Sequence, residues 1–342
     1  MSALRAALPG LAFAAVLALA AKGISVATSG ELSSILCAIL LGILWRNFAG
    51  LGAWADAGVE FAGCQLLRAG IALIGLRLTF VVLTSVSLAA IPVVIASIAV
   101  ALLATMVLGR LFRIESGLQK LLAVGTAICG CTAIVALAPV LRSRQQDVGI
   151  SIACVVLFGS AAMVAYPWIA HYSFGAEVAA AGMFFGASIQ DTSQVVGAAL
   201  IYAQQFGAPD AVAIAGLTKF MRTFGLLILV PVAAMWMSRR NVALEAAAAS
   251  GLRARALPWF VVAFIALAGV RTAGDFWVGG PAWQALLQAG QLASELLLLC
   301  GMAAVGLGIT FANLRDAGWR PLAVAFLAAA ATGATALAML HL

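Results

Sequence analysis

Charge is what this sequence has least of: 9% of its 342 residues are Asp, Glu, Lys or Arg, where an ordinary soluble domain carries roughly 25%. With 65% of residues hydrophobic, a soluble core of this length could not hide so much apolar surface, so lipid has to be the solvent for most of the outer face. Histidine is nearly absent. His171 and His341 both sit at segment ends, which argues against haem or metal chemistry inside a bilayer. Six cysteines (Cys37, Cys64, Cys129, Cys131, Cys154, Cys300) lie in apolar segments without a C-x-x-C pair, so neither a disulfide framework nor a zinc site is expected. No cofactor is expected either. There is no G-x-x-x-x-G-K motif, so the chain has no nucleotide site of that type to drive transport. Long polar stretches are missing too. The longest, Arg239–Arg255, is short and amphiphilic, which leaves no room for a soluble domain. Residues 1–342 are read as a single integral membrane domain.

The net charge of +7 does not point to nucleic acid. The Lys and Arg residues sit in short connectors, the pattern of cytoplasmic loops in multi-pass bacterial inner-membrane proteins. Runs of about 20 apolar residues, the length that crosses a bilayer, fall near 6–22, 32–47, 57–80, 85–110, 145–171, 208–238, 256–272, 282–311 and 321–341. Two more apolar stretches, 116–141 and 177–205, are interrupted by Gly and polar residues. The expectation is an all-α polytopic protein of about 10–11 transmembrane segments, two of them broken or re-entrant. The first run could also be a cleaved secretory signal.

Arg5, Arg46, Arg110, Arg113, Arg142, Arg144, Arg239, Arg240, Arg253, Arg255, Arg315 and Arg320 should be cytoplasmic. Simple alternation satisfies this except at Arg142 and Arg144. That pair stays inside if 116–141 enters and returns on the cytoplasmic side and 177–205 dips from the opposite side. Two internal similarities accompany the breaks. Gly70–Phe80 echoes Gly301–Phe311, 231 residues on, and Gly125–Val135 echoes Gly186–Val196, 61 residues on. Weak internal symmetry of this kind, often inverted, is a mark of secondary transporters.

A Gly-rich, small-polar break at membrane depth must line a cavity or be buried in protein, because lipid offers its backbone no hydrogen bonds. Gly125–Thr132 and Gly186–Gln194 both qualify. Each would end one short helix and start another, and a helix start attracts anions. Candidate binding residues are therefore Thr126, Cys129, Gly130, Cys131 and Thr132 in the first break and Ser188, Gln190, Asp191, Thr192, Ser193 and Gln194 in the second. Asp191 could bind a cation, carry a proton or cap the following helix. Lys219 lies deep in 208–238, with Arg222 one turn later on nearly the same face. The two could meet a substrate anion, pair with Asp191 or snorkel toward an interface. Arg68 and Arg77 are similar candidates, and Glu295 is read as half of a structural pair.

The stretches Leu67–Leu78, Gly125–Ile134, Gly186–Val196 and Leu217-Thr-Lys219-Phe-Met-Arg222 together resemble the YeiH-type family of bacterial membrane proteins, described as sulfate exporters. The resemblance covers nearly the whole chain in order. It implies a core with broken helices moving against a scaffold, as in the cation–proton antiporter and bile-acid symporter superfamily. Where that family commonly has His-Glu, this chain has Gln190-Asp191, which keeps the acid and loses an imidazole. The expected function is secondary transport of a small anion, such as sulfate or an organosulfonate, by alternating access, with H⁺ or Na⁺ as coupling ion and homodimerisation open. The alternative is cation–proton antiport centred on Asp191. An intramembrane enzyme would need a His partner, a metal cluster or a nucleophile–base pair.

Overall fold

The computed structural model describes residues 2–28, 32–77, 80–138, 141, 143–237, 259–310 and 318–342. Regular structure among the described residues is all helical. Helix α1 (Ser2–Ala27) is followed by α2 (Ser34–Leu44), which continues as a π-turn, Trp45–Ala49. Next come α3 (Ala53–Phe61), a π-turn at Ala62–Leu66, α4 (Leu67–Ile74) and a 3₁₀ turn at Gly75–Arg77, together one continuous rod. The chain proceeds through α5 (Phe80–Leu111), α6 (Ser116–Ala127), α7 (Cys131–Leu137), α8 (Gln145–Phe174), α9 (Val178–Ser188), α10 (Thr192–Phe206) and α11 (Asp210–Met237). It ends with α12 (Trp259–Trp277), α13 (Gly280–Gly308) and α14 (Trp319–Leu340). Seven helices among the described residues are long and apolar enough to cross a membrane. The apolar runs and their two interruptions fall on these elements within a few residues.

The interrupted stretches are hairpins, not unwound crossings. A Cβ on Gly125 of α6 would stand 2.7 Å from Ile134 Cδ1 of α7, so α7 folds back on α6. Helix α8 then begins where α6 began: Arg144 pairs with Glu115, and Asp147 Oδ2 lies 3.2 Å from the Cβ position of Gly117. The second stretch repeats this from the other end. Phe206, closing α10, stacks on His171 near the end of α8 at 3.9 Å, and the Tyr202 hydroxyl donates to the Gly175 carbonyl at 3.3 Å. Helix α9 descends beside α8, and α10 climbs back to the side it left. The hairpins thus enter from opposite faces, leaving nine crossings among the described residues.

This resolves the charge problem. Arg110, Arg113 and Arg144 share one face with Arg320, whose neighbour Trp319 packs edge-on against Phe112 at 5.9 Å. Arg142, Arg239, Arg240, Arg253, Arg255 and Arg315 lie outside the described residues.

The helices form two bundles. One holds α1–α4, α12 and α13, and the other α5–α11 and α14. Small residues set the spacing in the first, as expected where lipid removes the hydrophobic drive between helices. A Cβ on Gly42 would stand 2.5 Å from the Ala303 carbonyl oxygen, and one on Gly306 2.3 Å from that of Ile39. Across the seam between the bundles, α10 packs on α2 and α13, and α11 touches α4. Helix α7 packs mainly on α6 and α8.

The hairpin topology has a direct check. In a background without native cysteines, Ser116→Cys and Gln146→Cys should react with an impermeant thiol reagent from one face. Ala176→Cys and Pro209→Cys should react only from the other. Opposite-side labelling of 116 and 146 would mean that 116–141 crosses.

Candidate functional site

A helix ends with four carbonyls that have no partner within it, and in a bilayer each carries a desolvation cost of about 1–3 kcal/mol if left bare. Helices α6 and α9 end this way near mid-membrane, at Ala127 and Ser188. Their ends converge, and two side chains of α11 reach into the junction. Lys219 Nζ donates to the carbonyls of Ile128 and Ile189, both at 2.9 Å, and to that of Gln190. Arg222 Nε donates to the Ala127 carbonyl at 2.7 Å, Nη1 to Ala187 at 2.7 Å and Ile189 at 3.1 Å, and Nη2 to Thr126. Both residues are 0% exposed. They neither snorkel nor form an ion pair with Asp191: the described ion pairs all lie elsewhere. An ammonium has three donors, and all three of Lys219 are in use. The positive charges lie where the helix dipoles place negative charge.

The tips touch directly. Gly130, the residue before α7, has φ +66° and ψ −128°, a conformation open essentially to glycine. A Cβ there would also stand 3.1 Å from Asp191 Oδ2. Asp191 is the N-cap of α10, its Oδ1 accepting from the Ser193 N–H at 2.9 Å and the Ser193 hydroxyl at 2.6 Å. No described hydrogen bond uses Oδ2. Lys219 Nζ is bonded to the carbonyl just before Asp191, which keeps cation and carboxylate within about 10 Å of each other by backbone dimensions.

Of the residues singled out from sequence, Thr126, Cys129, Gly130, Cys131, Gln190, Asp191, Thr192, Ser193, Lys219 and Arg222 gather at this junction. Gln194 turns away: its Nε2 donates to the Val156 carbonyl at 3.0 Å and to Ser160 Oγ at 3.1 Å. The Ser188 hydroxyl is spent on the Phe184 carbonyl of its own helix. Thr132 is exposed, and Cys131, Asp191, Thr192 and Ser193 are half-buried. Gln190 is buried, and its Oε1 has no partner among the described residues. Arg77 pairs with Glu295 at 2.8 Å, toward one end of the rod.

Sequence reasoning overlooked the facing wall. Cys64 on the α3–α4 π-turn is exposed and within electrostatic range of Arg68, Glu60 and Asp191. Cys131 is within range of both Asp191 and Cys64. The signal was present as Glu60, Cys64 and Arg68 at four-residue spacing. Among the described residues, no group of three His, Cys, Asp or Glu could hold a metal ion.

Residues 9–325 match the family described as conserved hypothetical protein 698, and the chain belongs to it. The UPF0324 membrane protein of Ralstonia nicotianae is 32% identical over 301 residues, covering 85% of this chain and 80% of its own. That of Pseudomonas aeruginosa is 31% identical over 304 residues, 86% and 82%. One from Staphylococcus aureus is 28% identical over 312 residues, 91% and 89%.

Lys219→Met strips the buried Ile128 and Gln190 carbonyls of their donor, at about 1–3 kcal/mol each before relaxation, and leaves Ile189 to Arg222 alone, so the melting temperature of the purified protein should fall steeply. Asp191→Asn keeps the Oδ1 acceptor of the N-cap and should melt within a few degrees of wild type. A Lys219→Met protein as stable as wild type would refute the structural role.

Proposed function

Starting from membership of that family, we propose that the chain is a secondary transporter that moves a small anion, of the sulfate or organosulfonate class, across the inner membrane by alternating access. The observation that carries this reading is the meeting of two oppositely inserted hairpins at a junction with two buried cations, beside a seam between two helix bundles. Irregular backbone at membrane depth belongs where it lines a path, and half-helices meeting at the midplane are how transporters build such paths. Two cations against one carboxylate bias the junction toward anions.

The seam supports alternation as well. Helices α7 and α10 are counterparts under the 61-residue similarity. Val196 on α10 is 0% exposed while its counterpart Val135 on α7 is 57% exposed. On the α10 side, Gln204 Oε1 accepts from Ser33 Oγ at 2.7 Å and from Ser34 Oγ at 3.2 Å, bridging α10 to the start of α2. The α10 side is therefore bridged to the first bundle, while α7 leaves Val135 uncovered. In the opposite state α7 would be covered and the Gln204 bridge broken. Asp191 Oδ2, free of hydrogen bonds, favours a second reading in which the carboxylate carries H⁺ or Na⁺, either coupled to the anion or exchanged without it.

Proteoliposomes offered sulfate, sulfite, alkylsulfonates and carboxylates test the first reading. Flux of at least one anion above empty vesicles is expected. Asp191→Asn should lose the dependence on a pH or Na⁺ gradient by at least about tenfold, given the cost of a charge at depth. No flux for any anion would refute anion transport, and gradient-driven cation flux alone would favour antiport. A disulfide between Ser34→Cys and Gln204→Cys should stop transport and release it on reduction. Full flux through the cross-linked protein would refute alternation at this seam.

A further inference from the structure

Lys219 cannot be the cation that grips a solute in this state, because its donors are spent and it is sealed from solvent. A different cation stands free. The rod from Ala53 to Arg77 spans 25 residues, so Arg68, three positions past its middle, lies roughly 5 Å from mid-membrane at ~1.5 Å rise per residue. It is half-buried. Among the described residues it has no ion pair and no hydrogen bond, and the Phe260 ring lies beneath its guanidinium at 5.9 Å. An aromatic ring under one face leaves the N–H edges pointing elsewhere. An arginine at this depth without a counter-charge is costly and marks a solute path.

Its surroundings fit one ligand class. The π-turn Ala62–Leu66 precedes it, and such turns interrupt a helix at functional positions. Cys64 and Gln65 on that turn are exposed, while Ala62 and Leu67 on either side are buried. Cys64 is within electrostatic range of both Arg68 and Asp191, and of Cys131, the neighbour of exposed Thr132. Cys64, one turn before Arg68, therefore lies near the two hairpin tips. A planar fork of N–H groups suits an oxyanion with two oxygens on one edge.

We propose that Arg68, with Gln65 beside it, is the scaffold-side binding site for the oxyanion, and that Lys219 and Arg222 hold the hairpin tips facing it. This assignment rests on the anion reading above. Its test is binding, read without flux. In purified wild type, sulfate or methanesulfonate should raise the melting temperature. In a variant retaining only Cys64, either anion should slow the reaction of that thiol with N-ethylmaleimide. Arg68→Gln should abolish both responses while melting near wild type without anion. Arg68→Lys, which keeps the charge and loses the fork, should weaken half-saturation by about tenfold, and it serves if Arg68→Gln does not fold. Wild-type responses that persist unchanged in both variants would overturn the assignment and leave anion transport standing. No response of wild type to either anion would overturn both.

Discussion

The structure turns on how two helices can stop inside a bilayer. Each leaves carbonyls that water cannot reach and a partial negative charge at its end. Here the ends of α6 and α9 are brought together, and one lysine and one arginine, a turn apart on α11, serve both. The arrangement is asymmetric. Under the 61-residue similarity Lys219 and Arg222 correspond to Phe158 and Ala161, so α8 brings no cations of its own. The first hairpin depends on two side chains from the helix behind the second. Neither tip can withdraw without baring its own carbonyls, because the donors of both stand on α11. The seam with the second bundle is separate from this junction: there α10 and α11 meet α2, α4 and α13.

Much of this was legible beforehand. Lipid fixes helix length, so apolar runs give crossings with little ambiguity, and Gly with small polar residues marks the breaks. Whether a break crosses or returns was written only in the awkward parity of Arg142 and Arg144, and it took the Arg144–Glu115 pair to decide. The depth of Lys219 and Arg222 was legible, but their partners were not, because all seven hydrogen bonds go to backbone carbonyls and no residue type marks a carbonyl. A search for an opposite charge therefore turned to Asp191, which sits nearby without pairing. The Cys64–Gln65 wall was missed for a related reason. Glu60, Cys64 and Arg68 stand at four-residue spacing, but no residue type marks the π-turn on which Cys64 and Gln65 are exposed.

The two internal similarities describe two local two-folds. Gly70 receives Leu298, and Gly301 receives Leu67. Since Gly70 corresponds to Gly301 and Leu67 to Leu298, the α4–α13 contact pairs each position with its own counterpart. The hairpin units repeat the logic inverted. Gly125 meets Val155 where Gly186 meets Ala215, α6 running parallel to α8 as α9 does to α11. Different offsets in the two bundles follow from a chain that completes both hairpin units before returning to the first bundle, which a simple tandem duplication would not do.

The Gln190-Asp191 pair constrains proton handling at the junction. The main-chain carbonyl of Gln190 is held by Lys219, and its side chain is a buried amide that does not titrate. Asp191 keeps Oδ1 in the N-cap through Ser193. Protonation of that oxygen would turn the acceptor into a donor facing two other donors and break the cap. Oδ2 faces Gly130 and has no such duty, so a proton there leaves both tips intact. The helix start of α10 thus depends on one carboxylate oxygen and not on the other. A side chain at position 130 would fill the space beside Oδ2, so glycine is required there by the backbone and by the carboxylate alike.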